Sequence, residues 1–306
     1  MFDILVAGEL NPDLILSGNV TPEFGQVEKL VDSATLTIGS SSAIFACGAA
    51  RLGLKVAFIG VCGDDVFGRF MLEKMQMRGV DISNVILNPD GQTGLTVILN
   101  RGIDRAILTH SGLIGALKAE DVTDSLLRQA HHLHVASYFL QTALQPGLRD
   151  LFGRARSTGL TTSLDTNWDP TGEWSGFDEL LRLTDIFLPN ENEALALSGA
   201  SMLENALQVL NQKCQVTAVK CGSRGAFAIQ GEITAYAPAL PVQVVDTVGA
   251  GDSFDAGFLY GWLKGWGLEK TLMLAAACGS LSTQAAGGIS AQPTLQEAMK
   301  NVQSIG

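Results

Sequence analysis

The sequence predicts an α/β protein whose central, mostly parallel β-sheet is covered by helices on both faces, giving a three-layer αβα sandwich. Short apolar runs alternate along the chain with amphipathic stretches of roughly ten residues, which is the pattern of βαβ units. Some runs, such as the one between Asp185 and Pro189, are apolar at every interior position, as strands buried on both faces are. With 306 residues, 46% of them hydrophobic, the chain is expected to form one domain over 1–306.

The individual elements follow from where each apolar pattern begins and ends. The predicted strands lie at 4–7, 56–59, 133–136, 161–165, 186–188 and 216–220. The predicted helices lie at 42–52, 67–78, 122–129, 147–157, 191–197 and 203–211. Two further stretches, 249–265 and 268–286, are rich in Ala, Gly and Leu and apolar nearly all round, so they are predicted to be helices buried against the sheet.

Two segments, 14–38 and 93–109, interrupt the alternation of strands and helices. Both are strand-like and contain turn residues, and the second predicts a hairpin around Arg101 and Asp104. Because both fall in the N-terminal part of the chain near its Gly-rich turns, we expect them to form a small β lid beside a ligand crevice. The alternative is that they extend the main sheet.

Composition excludes several classes of function. The net charge is −11 and there is no run of Lys or Arg, which argues against a nucleic-acid or anionic-membrane partner. The five cysteines are scattered and form no Cys-x-x-Cys pair, so reduced, buried thiols are expected rather than disulfides or a metal site. The chain starts with a predicted strand rather than a signal peptide, and no apolar stretch is long enough to span a membrane, so a cytoplasmic protein is expected.

The most informative segment runs from 243 to 258. A predicted strand at 243–245 leads into a Gly-rich turn that opens a long helix. The first amides of a helix have no intrahelical partners, and the helix dipole adds partial positive charge to them. Gly249, Ala250 and Gly251 carry almost no side chain, so an anion such as a phosphate can approach these amides closely.

Asp252 follows directly and does not suit an anion site by itself, because a carboxylate repels a phosphate. We therefore expect it to accept the proton of a hydroxyl that attacks phosphorus. The alternative is that Asp252 and Ser253 simply cap the helix. Capping, however, does not require three small residues in front of the carboxylate.

The segment from Asp246 to Asp252, Asp-Thr-Val-Gly-Ala-Gly-Asp, resembles the C-terminal signature of the ribokinase family of sugar kinases, also called the phosphofructokinase-B family. Other family elements are resembled in family order by residues 39–53, 60–68, 189–193 and 220–225. The resemblance covers residues 8 to about 292. It implies a ribokinase-like αβα sandwich with a β lid that uses ATP and Mg²⁺ to phosphorylate a primary hydroxyl of a sugar or nucleoside.

The resemblance also implies roles for residues of the phosphoryl-transfer site. Asp252 resembles the catalytic base. Gly249, Ala250 and Gly251 resemble the residues whose amides hold the transferring phosphoryl group. Asp246 and the backbone after it resemble part of a monovalent-cation site, of the kind that K⁺ would fill.

On the nucleotide side, Lys220, Gly222 and Gly225 correspond to positions where the family grips the nucleotide. Asn190 and Glu193 match an Asn-x-x-Glu element, in which Glu193 would act on Mg²⁺ through the phosphate and water network.

On the sugar side, Asn11 and Asp13 match an Asn and an Asp that hold sugar hydroxyls after the first strand. A carboxylate can accept hydrogen bonds from two vicinal hydroxyls at once. Gly39 and Ser40 stand where the family has Gly-Gly before the first signature helix, and Ile44 stands where an Asn often contacts the sugar.

The segment 164–170 resembles the Asp-x-Asn-x-Arg stretch of fructokinase-like and ketodeoxygluconate kinase-like members. Asp165 and Asn167 match, and both are candidate sugar-binding residues, but Asp169 replaces the Arg. That Arg suits a substrate carboxylate. The replacement therefore predicts a small neutral sugar, fructose-like or ribose-like, rather than an acidic one.

Three other functions have less support in the sequence. A nucleoside kinase of the same family is the main alternative substrate class. A non-catalytic sugar or nucleotide sensor has no need of Asp252, and a dinucleotide-dependent oxidoreductase would need a Gly-x-Gly-x-x-Gly after the first strand. The sequence leaves open whether the lid forms a homodimer.

His131, His132 and His134 have no carboxylate at ligand spacing, so surface or packing histidines are expected rather than a metal site. Trp168 and Trp174 would either stack on a sugar ring or pack a loop, and the sequence does not decide between these roles.

Overall fold

The structure is a computed structural model that describes residues 1–101, 104–169, 171–174 and 176–302. The strands in these residues are β1 (Phe2–Ala7), β2 (Pro12–Ser17), β3 (Ser33–Ile38), β4 (Val56–Ile59), β5 (Val61–Gly63), β6 (Ile86–Asn88), β7 (Leu95–Arg101), β8 (Asp104–His110), β9 (Ala130–Val135), β10 (Thr161–Leu164), β11 (Ile186–Phe187), β12 (Val216–Lys220), β13 (Ala226–Gln230) and β14 (Ile233–Ala237). The α-helices are α1 (Ser41–Arg51), α2 (Val66–Met77), α3 (Asp124–Leu127), α4 (Gln145–Ser157), α5 (Asp178–Leu181), α6 (Glu191–Ser198), α7 (Leu203–Asn211), α8 (Ala250–Leu263), α9 (Leu268–Ser282) and α10 (Leu295–Val302).

The main sheet of the described residues has eight strands in the order β14-β13-β12-β11-β10-β9-β1-β4. The strands from β12 to β4 run parallel to one another, while β13 and β14 add an antiparallel edge. The predicted mostly parallel sheet is therefore confirmed. Its parallel strands direct their carboxyl ends to one side, which is where open α/β sheets bind ligands.

Both faces of this sheet are covered, because successive residues of each strand point to opposite sides. In β1, Ile4 and Val6 pack into a core that includes buried side chains of α1, α8 and α9. Leu5 and Ala7 pack into a second core with side chains of α4, α6 and α7. The two cores and the sheet between them make the predicted three-layer sandwich.

The two inserted segments pair with each other rather than with the main sheet. Their strands form a separate four-stranded sheet in the order β3-β2-β7-β8. Strands β7 and β8 are antiparallel with Arg101 opposite Asp104, so the predicted hairpin is confirmed, although its tip at 102–103 lies outside the described residues. We call this four-stranded unit the lid sheet.

Some predicted elements were wrong or too long. The strand predicted at 243–245 is absent from the described sheets, and Val244 and Val245 are exposed. An apolar pair satisfies the strand pattern even where the chain has no neighbouring strand to pair with. The helix predicted at 122–129 is reduced to α3, because Thr123 caps it by accepting from the Leu126 amide and β9 starts soon afterwards.

The five cysteines are buried and unbonded to one another, as expected. In the described part of the chain, no helix has the length and apolar character needed to cross a bilayer.

Candidate active site

The Gly-rich turn at the start of α8 has the backbone geometry expected of an anion site. Gly249 is the N-cap, with φ of 74°, and a Cβ on it would lie 2.7 Å from the Cα of Gly288. Only glycine fits this position without strain. Ile44 fills the space beside the turn, since a Cβ on either Gly249 or Gly288 would also meet its side chain. The helix therefore presents its first amides with no side-chain cap over them.

Asp252 lies in the first turn of α8 and is buried, with 8% of its surface exposed. Burial raises the pKa of its carboxyl to about 8, and the nearby charges of Asp165 and Glu9 act in the same direction. The positive charge of Lys220 and a hydrogen bond from Ser41 oppose that increase in pKa. Because Gly249 is the N-cap, the carboxylate of Asp252 does not cap the helix. A carboxylate with a raised pKa is a suitable proton acceptor near neutral pH.

Lys220 is held between two buried carboxylates. Its Nζ lies 2.9 Å from Asp165 Oδ2 and 3.1 Å from each carboxylate oxygen of Asp255. Burial would lower the pKa of Lys220, but Asp165 and Asp255 outweigh it and raise the pKa. Burial alone would raise the pKa of Asp165, but the positive charge of Lys220 outweighs this effect and holds the pKa of Asp165 down. For Asp255, burial is the larger effect and raises the pKa.

The carboxylates of Asp165, Asp252 and Asp255 can bring one oxygen each to within 4.8 Å of one another. Such a group could hold a cation, but the ammonium of Lys220 already pairs with two of its three members. The chain's own lysine therefore offsets part of the negative charge of this cluster. A Cβ built on Gly251 would lie 3.6 Å from Lys220 Nζ, so this ammonium borders the anion site.

Asn190 and Glu193 form a capping box at the start of α6. The Asn190 side chain accepts from the Glu193 amide, and Glu193 accepts from the Asn190 amide at 2.9 Å. Burial raises the pKa of Glu193 to about 7, and Asp165 adds to this while Lys220 opposes it. The Lys220 amide donates to Pro189 O at 3.0 Å, which places this helix start beside the lysine.

A cleft of about 630 Å³ borders Gly251. Lys220, Gly222 and Gly225 line one part of it, and Ala250 and Gly251 line another. A Cβ on Gly225, whose φ is 87°, would lie 2.0 Å from Ala237 O, so the turn after β12 requires glycine. Three candidate nucleotide residues and two residues of the anion-site turn therefore share one cavity, whereas Asn190 and Glu193 do not line it.

The predicted sugar residues Asn11 and Asp13 lie at the start of β2, where the lid sheet meets the main sheet. The Asn11 amide nitrogen donates to Thr96 Oγ1 of β7 at 3.2 Å. Burial raises the pKa of Asp13 to about 7, the charge of Asp246 adds to this, and Arg105 of the lid sheet opposes it. A Cβ on Gly39 would lie 2.2 Å from Asp13 Oδ1, so Gly39 permits the close approach of this carboxylate.

Ser40 and Asn167, two further predicted sugar residues, both have positive φ angles, which are uncommon for residues other than glycine. Ser40 has φ of 64° and caps α1, and Asn167 has φ of 56°. The Asn167 side chain donates to Ser137 Oγ at 2.7 Å and to Ser41 Oγ at 3.1 Å. Asn167 is therefore brought close to Asp252 through Ser41.

Asp246 ties two loops together. Its Oδ1 accepts from the Val248 amide at 3.0 Å and its Oδ2 from the Gly287 amide at 2.9 Å. The loop before α8 and the loop after α9 thus meet at this carboxylate, the position where sequence resemblance places a monovalent cation.

The structure gives Asp169 a different task from the one its sequence position suggested. Its Oδ1 accepts from the Thr171 amide and hydroxyl, each at 2.8 Å, and its Oδ2 accepts from the Trp174 amide at 2.8 Å. These bonds lower the pKa of Asp169 and outweigh the effect of burial. Both oxygens hold their own loop, so Asp169 no longer supports a choice between neutral and acidic substrates.

Of the three histidines, His132 and His134 are fully buried, and both bond Ser163 Oγ at 2.7 Å. Burial lowers their pKa values to about 3, so both are neutral packing residues. His131 is exposed, so the three residues are packing and surface histidines, as the sequence predicts.

Trp168 and Trp174 contact each other edge to face with ring centroids 5.1 Å apart. Trp168 nevertheless keeps 60% of its surface exposed, so loop packing accounts for only part of it.

Several residues of this site were not found from the sequence, namely Glu9, Ser41, Ser137 and Asp255. Glu9 carried a usable signal, because it is an acidic residue immediately after the first strand, at the edge where ligands bind. Asp255 lies one helical turn after Asp252, on the same face of α8, and the spacing alone could have grouped the two.

Comparison with known proteins agrees with this geometry. A model of the pfkB family of carbohydrate kinases matches residues 1–295. The chain therefore belongs to the pfkB carbohydrate kinase family and is a sugar kinase with a ribokinase-like fold.

Among similar proteins is an ATP-dependent ribose-1-phosphate kinase of Halopiger xanaduensis, 31% identical over 95% of this chain and 95% of that protein. A 5-dehydro-2-deoxygluconokinase of Geobacillus thermodenitrificans is 29% identical over 99% of this chain and 94% of that protein. The solved structure of Arabidopsis thaliana ribokinase with ribose and ATP superposes with a TM-score of 0.84, at 25% identity and 99% coverage of both chains.

Proposed function

We propose that this kinase transfers a phosphoryl group from ATP to a primary hydroxyl of a small neutral sugar, with Asp252 as the catalytic base. The observation that carries the proposal is the position of Asp252. It is a buried carboxylate with a raised pKa in the first turn of α8, directly after Ala250 and Gly251, which line the 630 Å³ cleft, while its neighbours Ser41 and Glu9 are not part of that lining. A hydroxyl bound on one side of Asp252 would thus face a phosphoryl group held on the other.

In this proposal each part of the chain has a defined task. The amides at the start of α8 stabilise charge on the transferring group, and Lys220 adds a fixed positive charge beside Gly251. Asp252 takes the proton of the attacking hydroxyl. Closure of the lid sheet excludes water, which would otherwise compete as the nucleophile.

The nucleotide-side residues suit ATP bound as its Mg²⁺ complex. Glu193 is a buried carboxylate beside Lys220, and its pKa is raised mainly by burial and further by the charge of Asp165. Mg²⁺ prefers oxygen ligands and usually keeps several waters, so contact through water suits Glu193, whose oxygens already bond Asn190 and Thr166. When bound, the ion would neutralise charge on the phosphates.

The preference for a neutral sugar rests on the charge around the sugar-side residues. Glu9, Asp13 and Asp252 are all buried carboxyl groups with raised pKa values, which indicates that negative charge is already costly there. A substrate carboxylate would add to that cost in a water-poor site. The relatives are named for different sugars and do not choose among them.

The test is a screen of ATP-dependent ADP release with ribose, fructose, a nucleoside and 2-keto-3-deoxygluconate under one set of conditions, with the phosphorylated product identified by mass. The proposal predicts the highest kcat/KM for a neutral sugar. An acidic sugar ahead by tenfold or more, about 1.4 kcal/mol in transition-state binding, would show that the neutral preference is wrong. A nucleoside ahead by that margin would assign the enzyme to the alternative class.

We further propose that K⁺ binds near Asp246, because this carboxylate joins the two loops that flank the anion-site turn. Replacing KCl by choline chloride at constant ionic strength is then expected to lower kcat, and Asp246→Asn to weaken the response. An equal kcat in both salts would refute it.

We also propose that the lid sheet pairs with a second copy of the chain. Ile107 and Leu108 of its edge strand β8 are more than half exposed, which leaves apolar surface and an unpaired edge available. Light scattering on the purified protein distinguishes a dimer from a monomer.

A further inference from the structure

Glu9 is a buried carboxylate that directly follows β1 and has no role in the mechanism described above. Only 2% of its surface is exposed. Its Oε1 accepts from the Ser42 amide at 3.1 Å and from Ser137 Oγ at 2.8 Å, and its Oε2 accepts from Ser42 Oγ at 2.5 Å. Its backbone carbonyl accepts from Ser40 Oγ at 2.8 Å. Glu9 thus joins β1 to the start of α1 and to the loop after β9.

These hydrogen bonds continue from Glu9 to Asp252. Asn167 Nδ2 donates to Ser137 Oγ at 2.7 Å and to Ser41 Oγ at 3.1 Å. The Ser41 hydroxyl in turn interacts with the Asp252 carboxylate. We call this set the Glu9 network; its members are Glu9, Ser40, Ser41, Ser42, Ser137 and Asn167.

Three residues of the Glu9 network have strained backbone conformations. Of the five non-glycine residues with positive φ in the described part of the chain, three belong to it: Ser40 at 64°, Ser137 at 52° and Asn167 at 56°. Such conformations are energetically unfavourable for residues other than glycine and persist where the surroundings fix them. Each of the three side chains is hydrogen-bonded within the network, either to Glu9 or to a partner of Glu9. The Glu9 carboxylate therefore bonds the Ser137 turn directly and the Asn167 turn through Ser137, while the Glu9 backbone carbonyl bonds the Ser40 side chain.

We propose that Glu9 is a positioning residue for phosphoryl transfer, which holds the turns of Ser40, Ser137 and Asn167 against the hydroxyl-accepting side of Asp252. The inference rests on the proposed function, because it requires that a sugar hydroxyl reaches Asp252 from this side. None of these residues lines the 630 Å³ cleft assigned to the nucleotide. The loss of Glu9 should therefore affect the sugar and leave nucleotide binding intact.

Glu9 also acts on Asp252 through its charge. The ionisable groups that influence the Asp252 carboxyl are Asp165, Lys220, Glu9 and Asp255. Glu9 is one of those that raise the pKa of Asp252. Replacing Glu9 by a neutral side chain removes a nearby negative charge, which makes the ionised form of Asp252 easier to reach. The acid limb of kcat/KM should then move to lower pH.

The experiment uses Glu9→Gln, which keeps the shape but replaces one acceptor oxygen by a donor. We expect KM for the sugar to rise and kcat to fall, each by at least about tenfold, because the attacking hydroxyl is misplaced. KM for ATP should stay within about twofold, and the acid limb of the pH profile should shift downward. A simple loss of folded protein would not move the pH profile or separate the two KM values.

Ser137→Ala serves as a second variant that removes two hydrogen bonds of the network, those of Ser137 Oγ with Glu9 and Asn167, so the proposal can be tested even if Glu9→Gln does not fold. It should raise KM for the sugar in the same direction. Thr184→Ala is the matched control, since Thr184 is equally buried and donates to Leu180 O far from these residues.

The outcomes are distinguishable. If the wild-type protein phosphorylates no sugar, the proposed function is wrong and the role of Glu9 is wrong with it. If the wild type is active but Glu9→Gln and Ser137→Ala keep its sugar KM, kcat and pH profile, only the role of Glu9 is refuted.

Discussion

Lys220 Nζ lies 3.1 Å from both carboxylate oxygens of Asp255, so strand β12 and helix α8 are joined by a buried ion pair beside the anion-site turn. The same ammonium contacts Asp165 at the end of β10. Three elements that carry candidate site residues are thus fixed relative to one another by one side chain. Lys220 therefore has a structural task in addition to its place in the nucleotide cleft.

The first prediction concerns this ion cluster. Lys220→Met would leave Asp165 and Asp255 buried without a counter-charge, and breaking a buried pair in this way costs about 3–5 kcal/mol. Guanidinium-induced unfolding at neutral pH should show a free energy of unfolding lower by that amount.

The control for Lys220 is Lys213→Met. Lys213 pairs with Asp178, whose side chain is 73% exposed, and a surface pair of this kind contributes about 0–1 kcal/mol. Equal losses of stability in the two variants would mean that the buried cluster has no special weight.

The second prediction concerns the anion site. A Cβ on Gly251 would make its closest contact at 3.6 Å, an ordinary van der Waals distance, so Gly251→Val should fold. Its branched side chain would nevertheless stand where a phosphate must approach the amides of α8. We expect kcat to fall about 10²–10³-fold, as when one oxyanion donor is lost.

Gly267→Val is the matched control for Gly251, because Gly267 precedes α9, has φ of −62° and has open space around its Cβ position. Both variants should keep the thermal stability of the wild type. Normal turnover in a stable Gly251→Val protein would show that the phosphoryl group is not held at this turn.

The third prediction concerns stability and pH. The pKa of Asp13 is raised from 3.8 to about 7 in the folded protein, mainly by burial. Between these values the folded state binds more protons than the unfolded state, so the free energy of unfolding falls as pH rises. Asp13→Asn lacks this titration. Relative to wild type, it should therefore gain roughly 2 kcal/mol of stability between pH 5 and pH 8.

Urea unfolding of wild type and Asp13→Asn at the two pH values measures this difference directly. Asp90→Asn, the same replacement at an exposed position, serves as the control. A difference of the opposite sign for Asp13→Asn would mean that Asp13 is stabilised, not destabilised, as an anion.

The sequence was sufficient for the parts of the site that depend on local backbone chemistry. The turn at Gly249 needs positive φ, and a carboxylate directly after three small residues that suit an anion is unusual, so both features can be recognised within a single segment. The lid sheet was likewise visible from period-2 patterns in 14–38 and 93–109.

The parts of the site that could not be predicted from the sequence depend on contacts between residues far apart in the chain. Glu9 and Ser137 are separated by 128 residues, and nothing in either segment indicates the hydrogen bond between them. For Asp169, the position in the sequence motif suggested a contact with the substrate. Its carboxylate oxygens instead accept hydrogen bonds from amides two and five residues away. A matched position in a motif fixes where a residue lies, but not which atoms it bonds.

The measurement that tests the account most directly is the kcat of Asp252→Asn with the best neutral sugar. Asn keeps the size of the side chain but cannot accept the proton of the attacking hydroxyl. The account predicts a kcat lower by about 10²–10⁴-fold, with a thermal stability no lower than that of the wild type and unchanged affinity for ATP. A kcat close to that of the wild type would contradict the assignment of Asp252 as the base.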